Sequence, residues 1–286
     1  MPKETAQPPR KAIAQRIHEA YPTLTGGERK VADTILVAPS ELAVCNAFEL
    51  AARAEVSNAT VTRFFRRLGY ESFDAARQDA RRLRETGSPL FAGRPAGVRG
   101  DPVSQFLAEE TRVLEATLSR VNPLTIREIA GAVTKATRIR TLGYRNSAFL
   151  AQYLAAQLAQ MRPGVAPLLL PGQTESEGIA MLGPDDLAIV VGLRRRTAGF
   201  TRVVEAIAAR GTPVLLIADG TIRGAPAHAT WTLDCVVETP HFADSYVGTM
   251  ALLRLLYIEV KREMDKAGLR HLQDIEDLRD RLGELE

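Results

Sequence analysis

The chain has 286 residues, of which 45% are hydrophobic and 25% are charged, and its formal net charge is +3. This length and composition are typical of a globular protein with two domains. No apolar run approaches the roughly 18 residues that a transmembrane helix needs, and the N-terminus lacks the apolar core of a signal peptide. Cys45 and Cys235 lie far apart and have no Cys/His cluster around them. We therefore expect a cytoplasmic protein that does not associate with a membrane and has both cysteines buried. We expect it to contain neither a structural metal nor a cofactor.

The small net charge is unevenly distributed. Residues 1–86 contain 14 Lys and Arg against 11 Asp and Glu, so the whole excess lies in this part of the chain. Within residues 61–84 there are seven arginines and three acidic residues. Such a local excess of positive charge favours a polyanionic partner.

The first 86 residues show helical periodicity without a convincing strand pattern. The segments are "KAIAQRIHEAY", "GGERKVADTILVAP", "NAFELAARAE", "VSNATVTRFFRRLG" and "FDAARQDARRLRE". We predict an all-α domain over residues 1–86.

The segment "SNATVTRFFRRLG" (57–69) predicts a helix with two different faces. Ser57 is a suitable N-cap and Gly69 a natural C-terminal stop. One face is apolar, with Val61, Phe64, Phe65 and Leu68. The other begins with short polar side chains that suit close entry into a major groove, and continues with arginines that suit phosphates or guanine edges. The preceding "FELAARA" and the short turn "EVS" complete helix-turn-helix spacing. The predicted DNA-contacting residues are Ser57, Asn58, Ala59, Thr62, Arg63 and Arg66.

The composition then changes. The Gly- and Pro-rich residues 87–101 are the predicted linker. After one long helix, "DPVSQFLAEETRVLEATLSRV", five short apolar runs alternate with helical segments: 138–144, 165–170, 187–193, 213–219 and 230–235. This alternation predicts a doubly wound parallel α/β sheet for the domain 102–286.

The N-terminal pattern resembles a known family. The stretch from "LTGGERKVADTILVAP" to "ELAARAEVSNATVTRFFRRLGYESF" is similar to the N-terminal domain of RpiR/MurR-type bacterial transcription regulators, over about residues 12–84. Glu55 departs from it, because the family often has glycine in this turn; a left-handed conformation there costs a modest amount of free energy. The resemblance implies that a SIS, or sugar isomerase, domain follows, which binds phosphosugars.

The loops of the second domain depart from the SIS pattern. Such domains resemble one another in a G-x-G-x-S turn and an S-x-S-G-x-T turn that hold phosphate through hydroxyls and backbone amides. The first loop reads "GYRNS" (143–147) and keeps Gly143 and Ser147, with Arg145 and Asn146 between them. The second reads "GLRRRT" (192–197) and keeps Thr197, while Gly192, Arg194 and Arg195 replace the two serines and the glycine. Arginine binds carboxylate or phosphate bidentately, and we expect a small anionic effector. The candidate effector-binding residues are Arg145, Asn146, Ser147, Arg194, Arg195, Thr197, His241 and Ser245.

Three functions remain open at this point. The first is a transcription regulator that binds an operator in double-stranded DNA and senses an anionic metabolite, a phosphosugar or a carboxylate. The second is a DNA-bound scaffold whose SIS-like domain serves only for dimerisation. The third is a sugar phosphate isomerase, for which no Glu/His pair is marked out among Glu175, Glu177 and Glu238. We expect no catalytic residues, and therefore no enzyme.

A DNA-binding protein of this type is expected to be a homodimer or homotetramer, since one recognition helix offers a small interface. The candidate self-association surfaces are the apolar helix 247–260 and the amphipathic tail with Leu269, Leu272, Ile275, Leu278 and Leu282.

Overall fold

The computed structural model describes residues 13–85, 101–240, 243–264 and 266–284. These residues fall into two compact units: the first contains residues 13–85, and the second contains residues 101–239 and those from 245 onward. Most of the predicted linker, residues 87–101, lies outside the described residues.

The first unit is all-helical, as predicted. Its described helices are α1 (Ile13–Ala20), α2 (Gly26–Val37), α3 (Ala47–Arg53), α4 (Asn58–Arg67) and α5 (Phe73–Glu85), with short 3-10 turns at Tyr21–Thr23 and Pro39–Ala43. Two helices begin with a reciprocal capping box, Thr25 with Glu28 at α2 and Asn46 with Glu49 at α3. These boxes satisfy amides that would otherwise lack a partner at each helix start.

The core of the first unit is built around α4. Phe64 and Phe65 are fully buried, and their rings meet edge to face with centroids 5.2 Å apart. Val61 and Leu68 are buried on the same face of α4, so the predicted apolar face is confirmed. Cys45 is buried at 2% exposure.

The second unit alternates strands and helices. Its strands are β1 (Ile139–Gly143), β2 (Val165–Pro167), β3 (Leu187–Gly192), β4 (Val214–Asp219) and β5 (Trp231–Cys235). Its helices are α6 (Pro102–Leu118), α7 (Pro123–Lys135), α8 (Asn146–Ala159), α9 (Glu175–Ala180), α10 (Phe200–Ala208), α11 (Val247–Arg262) and α12 (Lys266–Leu282), with a 3-10 turn at Ala225–His228. All five predicted strands are present.

The five strands form one parallel sheet in the order β2-β1-β3-β4-β5. Every residue of β3 and β4 is buried, because helices cover both faces of the sheet. One face packs against α7, α8 and α11, and the other packs against α10. This is the doubly wound α/β fold expected from the sequence.

Among the described helices, none combines the length and the apolar character that a membrane span requires.

Candidate functional site

The turn before α4 is held in a strained but well-anchored conformation. Glu55 has φ of 52°, in the left-handed region that favours glycine. Its carboxylate lies 3.4 Å from the ammonium group of Lys30 on α2. The Ser57 hydroxyl oxygen then caps α4, because it accepts a hydrogen bond from the Thr60 amide nitrogen at 3.3 Å. The predicted cap and the predicted unusual turn are both present.

The outer face of α4 is open to solvent. Ala59, Thr62, Arg63 and Arg66 are exposed, and Asn58 is half-buried. Arg63 makes one long hydrogen bond to the Thr60 hydroxyl, at 3.4 Å, so its guanidinium retains most of its donors. This face therefore presents the short polar and basic side chains that direct base and phosphate contacts need.

Arg67 has a different role from its neighbours on α4. Its guanidinium donates to the Thr23 carbonyl oxygen at 2.5 Å and lies 3.5 Å from the buried Glu28 carboxylate. Arg67 thus holds α4 against the start of α2 and orients the helix. These contacts distinguish Arg67 from Arg63 and Arg66, whose side chains are exposed on the outer face of α4.

The second candidate site lies at the carboxyl edge of the sheet. In the strand order β2-β1-β3-β4-β5 the chain leaves β1 and β3 in opposite directions, which makes the loops after these two strands the topological switch point. The β1 loop (144–147) and the β3 loop (193–199) are joined directly: the amide of Leu193 donates to the Ser147 hydroxyl at 3.2 Å, and both groups are buried. The structure therefore brings "GYRNS" and "GLRRRT" together.

Two glycines make this close approach possible. A Cβ added to Gly143 would lie 2.3 Å from the Ser147 carbonyl oxygen, so the turn into α8 requires glycine. A Cβ on Gly192 would lie 2.1 Å from the Phe200 ring, so glycine allows α10 to pack on the end of β3. Glycine stands at position 192, where the SIS pattern has serine, for this steric reason.

Two arginines of these loops have strained backbones. Arg145 has φ of 56° and Arg195 has φ of 27°, and both side chains are exposed. Non-glycine residues with positive φ are concentrated at binding and catalytic sites, where the surrounding structure enforces the strain. The side chain of Arg145 makes no hydrogen bond or ion pair with any other described residue. These observations favour Arg145 and Arg195 as the residues that receive a ligand.

Asp219 organises the β3 loop and was not among the residues predicted from the sequence. It ends β4 and is 3% exposed. One carboxylate oxygen accepts hydrogen bonds from the Arg194 amide, at 2.7 Å, and from the Arg196 guanidinium, at 2.5 Å. The other accepts the amide and the hydroxyl of Thr221, at 3.0 and 2.6 Å. The signal available in the sequence was a carboxylate at the end of the apolar run "PVLLIAD".

The pKa of Asp219 reflects opposing effects. Burial raises it, but the hydrogen bonds from Thr221 and the Arg194 amide, together with the charge of Arg196, outweigh burial and hold the pKa below its ordinary value. Asp219 is therefore ionised at neutral pH and fixes Arg196 inside the loop. Arg194 is itself buried, at 6% exposure.

The remaining candidates are placed differently. Asn146 is exposed and donates to the Tyr246 hydroxyl at 3.2 Å, and Thr197 is exposed. Ser245 is buried and donates to the Glu110 carboxylate at 2.5 Å, which ties the start of α11 to α6. His241 lies outside the described residues.

Comparison with known proteins identifies both units. Residues 11–79 match the helix-turn-helix domain of the rpiR family, and residues 132–259 match the SIS domain. The first unit belongs to the rpiR family of helix-turn-helix domains. The resemblance noted in the sequence is confirmed, and the chain has the two-domain composition of an RpiR-type transcription regulator.

The sequence relatives are distant. An HTH-type transcriptional regulator of Haemophilus influenzae is 27% identical over 146 residues, which is 49% of this chain and 51% of that protein. The HTH-type transcriptional regulator YfhH of Escherichia coli K12 is 28% identical over 202 residues, 63% of this chain and 67% of that protein. The chain thus spans about half to two thirds of the length of these relatives.

A solved structure shows the same fold over most of the chain. The NanR protein of Vibrio vulnificus, solved in complex with ManNAc-6P, is 20% identical to this chain, with a TM-score of 0.56. The similarity covers 94% of this chain and 98% of that chain.

Proposed function

We propose that this RpiR-type chain binds operator DNA through α4 and senses a small anionic metabolite through its SIS domain. The observation that carries the proposal is the pairing of two exposed basic surfaces, one in each unit. The first is the outer face of α4, and the second is the pair of strained arginines, Arg145 and Arg195, at the switch point of the sheet. The proposal is supported by the match of residues 11–79 to the rpiR helix-turn-helix domain and of residues 132–259 to the SIS domain.

The DNA-binding part of the proposal is tested on Arg63. We expect Arg63→Ala to weaken operator binding by about 1–3 kcal/mol, since one good base contact contributes that much, and Thr62→Ala to act in the same direction. Fluorescence anisotropy with DNA from the region upstream of the chain's own gene measures this. Both variants should keep the helical circular dichroism of the parent.

Arg127→Ala is the matched control for Arg63→Ala. Arg127 is an exposed arginine on α7 of the second unit, so the substitution removes the same charge from the chain without touching α4. Equal operator affinity of Arg63→Ala and Arg127→Ala would show that α4 is not the recognition helix.

The proposed effector carries a phosphate or a carboxylate. Arg145 and Arg195 can pair bidentately with either group, and the start of α8 beside Arg145 adds a favourable helix dipole. The Ser147 hydroxyl, Asn146 and the exposed Thr197 are the proposed hydrogen-bonding partners. The likeness to a protein solved with ManNAc-6P supports a phosphosugar as the first ligand to test.

The effector site is tested by ligand-dependent thermal stability. We expect a phosphosugar or carboxylate that raises the melting temperature of the parent protein to have no effect on Arg145→Ala, because the principal anion contact is lost. Arg127→Ala should respond as the parent does. An Arg145→Ala variant with an undiminished thermal shift would remove Arg145 from the site.

The geometry favours regulation over catalysis. We propose no catalytic residue. Of the carboxylates considered as general bases, Glu175 accepts a hydrogen bond from the Tyr144 hydroxyl, and Glu177 forms a capping box with Thr174 at the start of α9. Two of the three carboxylates considered as general bases therefore have structural partners. Turnover of sugar phosphates by the purified chain would restore the isomerase hypothesis. If no phosphosugar or carboxylate raised the melting temperature of the parent protein, the DNA-bound scaffold would be favoured instead.

A further inference from the structure

Helix α12 carries an apolar stripe whose C-terminal part the second unit does not cover. His271, Ile275, Leu278 and Leu282 follow one another at i, i+4, i+7 and i+11, so they share one face of the helix. Near its start this face meets the rest of the unit, because Nε2 of His271 donates to the Ala159 carbonyl oxygen at 3.0 Å. Toward its end the face is open: Leu278 is 50% exposed and Leu282 is 67% exposed.

A cavity lies beside the first turns of α12. Its volume is about 580 Å³, and Met161, Val260 and Met264 form the apolar part of a lining that also contains charged side chains. His271 and Asp274 of α12 line the same cavity. The exposed end of the stripe and the cavity thus lie at opposite ends of one helix. A two-fold axis perpendicular to this helix places the exposed end of each copy beside the cavity of the other copy, so the surface is self-complementary.

The charges along α12 complete this complementarity. Asp274 and Arg281 are exposed and lie two turns apart on the same edge of the stripe. Among the described residues neither takes part in an ion pair; Arg281 donates only to the Asp277 carbonyl oxygen, at 3.1 Å. Arg279, on the other edge, already pairs with Glu276 at 2.5 Å.

We propose that α12 pairs antiparallel with α12 of a second copy of this chain. In this register the partner's Leu278 lies opposite Ile275, and the partner's Leu282 lies opposite His271, at the mouth of the cavity. Asp274 then meets the partner's Arg281, and the two-fold axis repeats this ion pair. The inference rests on the proposed function, because it supplies an interface for the homo-oligomer that the sequence leads us to expect of a DNA-binding protein of this type.

The apolar part of the interface is tested by sedimentation at micromolar concentration in the absence of DNA. We expect Leu278→Asp and Leu282→Asp each to halve the mass of the assembly relative to the parent. Gln273→Asp is the control, because it adds the same charge on the opposite, exposed face of α12. Circular dichroism verifies that each variant is folded.

The register is tested by exchanging charges. Asp274→Arg alone and Arg281→Asp alone should each raise the dissociation constant roughly tenfold, since each replaces two ion pairs by two like-charge contacts. An equimolar mixture of the two variants should associate as the parent does, because each copy then meets opposite charges.

Two results would overturn the proposal: a mass unchanged by Leu278→Asp and Leu282→Asp, or a mixture that associates no better than its components. These experiments contain no DNA, so such a failure leaves the operator test on Arg63 unaffected. A loss of operator binding in Arg63→Ala likewise leaves the sedimentation result unaffected.

Discussion

Phe64→Ala should lower the free energy of unfolding of the first unit by about 3–5 kcal/mol. Phe64 is fully buried and meets the Phe65 ring edge to face, so truncation removes apolar burial and a ring contact and leaves a cavity between α4 and its neighbours. The variant should also lose operator binding at temperatures where the parent still binds, because the buried face of α4 orients its outer face.

Urea unfolding followed by far-ultraviolet circular dichroism measures this loss. Trp231 is the single tryptophan and lies on β5, so its fluorescence reports the second unit separately and should not change. Phe48→Ala is the matched control: Phe48 lies on α3 of the same unit but is 76% exposed, and its truncation should change stability by less than about 0.5 kcal/mol. Equal destabilisation by the two substitutions would contradict the assigned core.

Asp219→Ala should destabilise the second unit by about 3 kcal/mol at pH 7, because it leaves Arg196 partly buried without its carboxylate and the Arg194 amide without its acceptor. The transition is followed by Trp231 fluorescence in urea. Asp185→Ala removes an exposed carboxylate from the same unit and should have little effect.

The effect of Asp219→Ala should depend on pH in a defined direction. The folded-state pKa of Asp219 is lowered, so its ionised form stabilises the fold fully above the ordinary aspartate pKa of about 3.9. This contribution is lost as the pH falls through the folded pKa, and the difference between parent and variant should shrink there. If the difference in unfolding free energy between parent and variant stayed constant as the pH fell through the folded pKa, the Asp219 charge would not be what holds the loop.

Local patterns explain how much of the fold could be predicted. The strands were found because each is a short apolar run bounded by turn residues, and α4 was found because its cap, apolar face and stop lie within 13 consecutive residues, 57–69. Gly143 and Ser147 pointed to the β1 loop for another reason, because they match the G-x-G-x-S turn of the SIS domains that the chain resembles.

The arrangement of the arginines could not be predicted. Arg194, Arg195 and Arg196 are consecutive in a loop, where no periodicity assigns them to a face. Their separation depends on Asp219, a residue more than twenty positions away that binds the Arg194 amide and the Arg196 guanidinium. As a result Arg195, with its positive φ, extends outward while its neighbours are buried or partly buried.

The central claim is that anion binding at the switch point changes DNA affinity. It is tested most directly by the dissociation constant of the parent protein for its own upstream DNA, measured by fluorescence anisotropy with and without each member of a panel of sugar phosphates and small carboxylates. We expect at least one member to change the dissociation constant by about 5- to 150-fold, which corresponds to a coupling free energy of about 1–3 kcal/mol, and Arg145→Ala to abolish the change. Tight DNA binding that no member of the panel alters would contradict the claim.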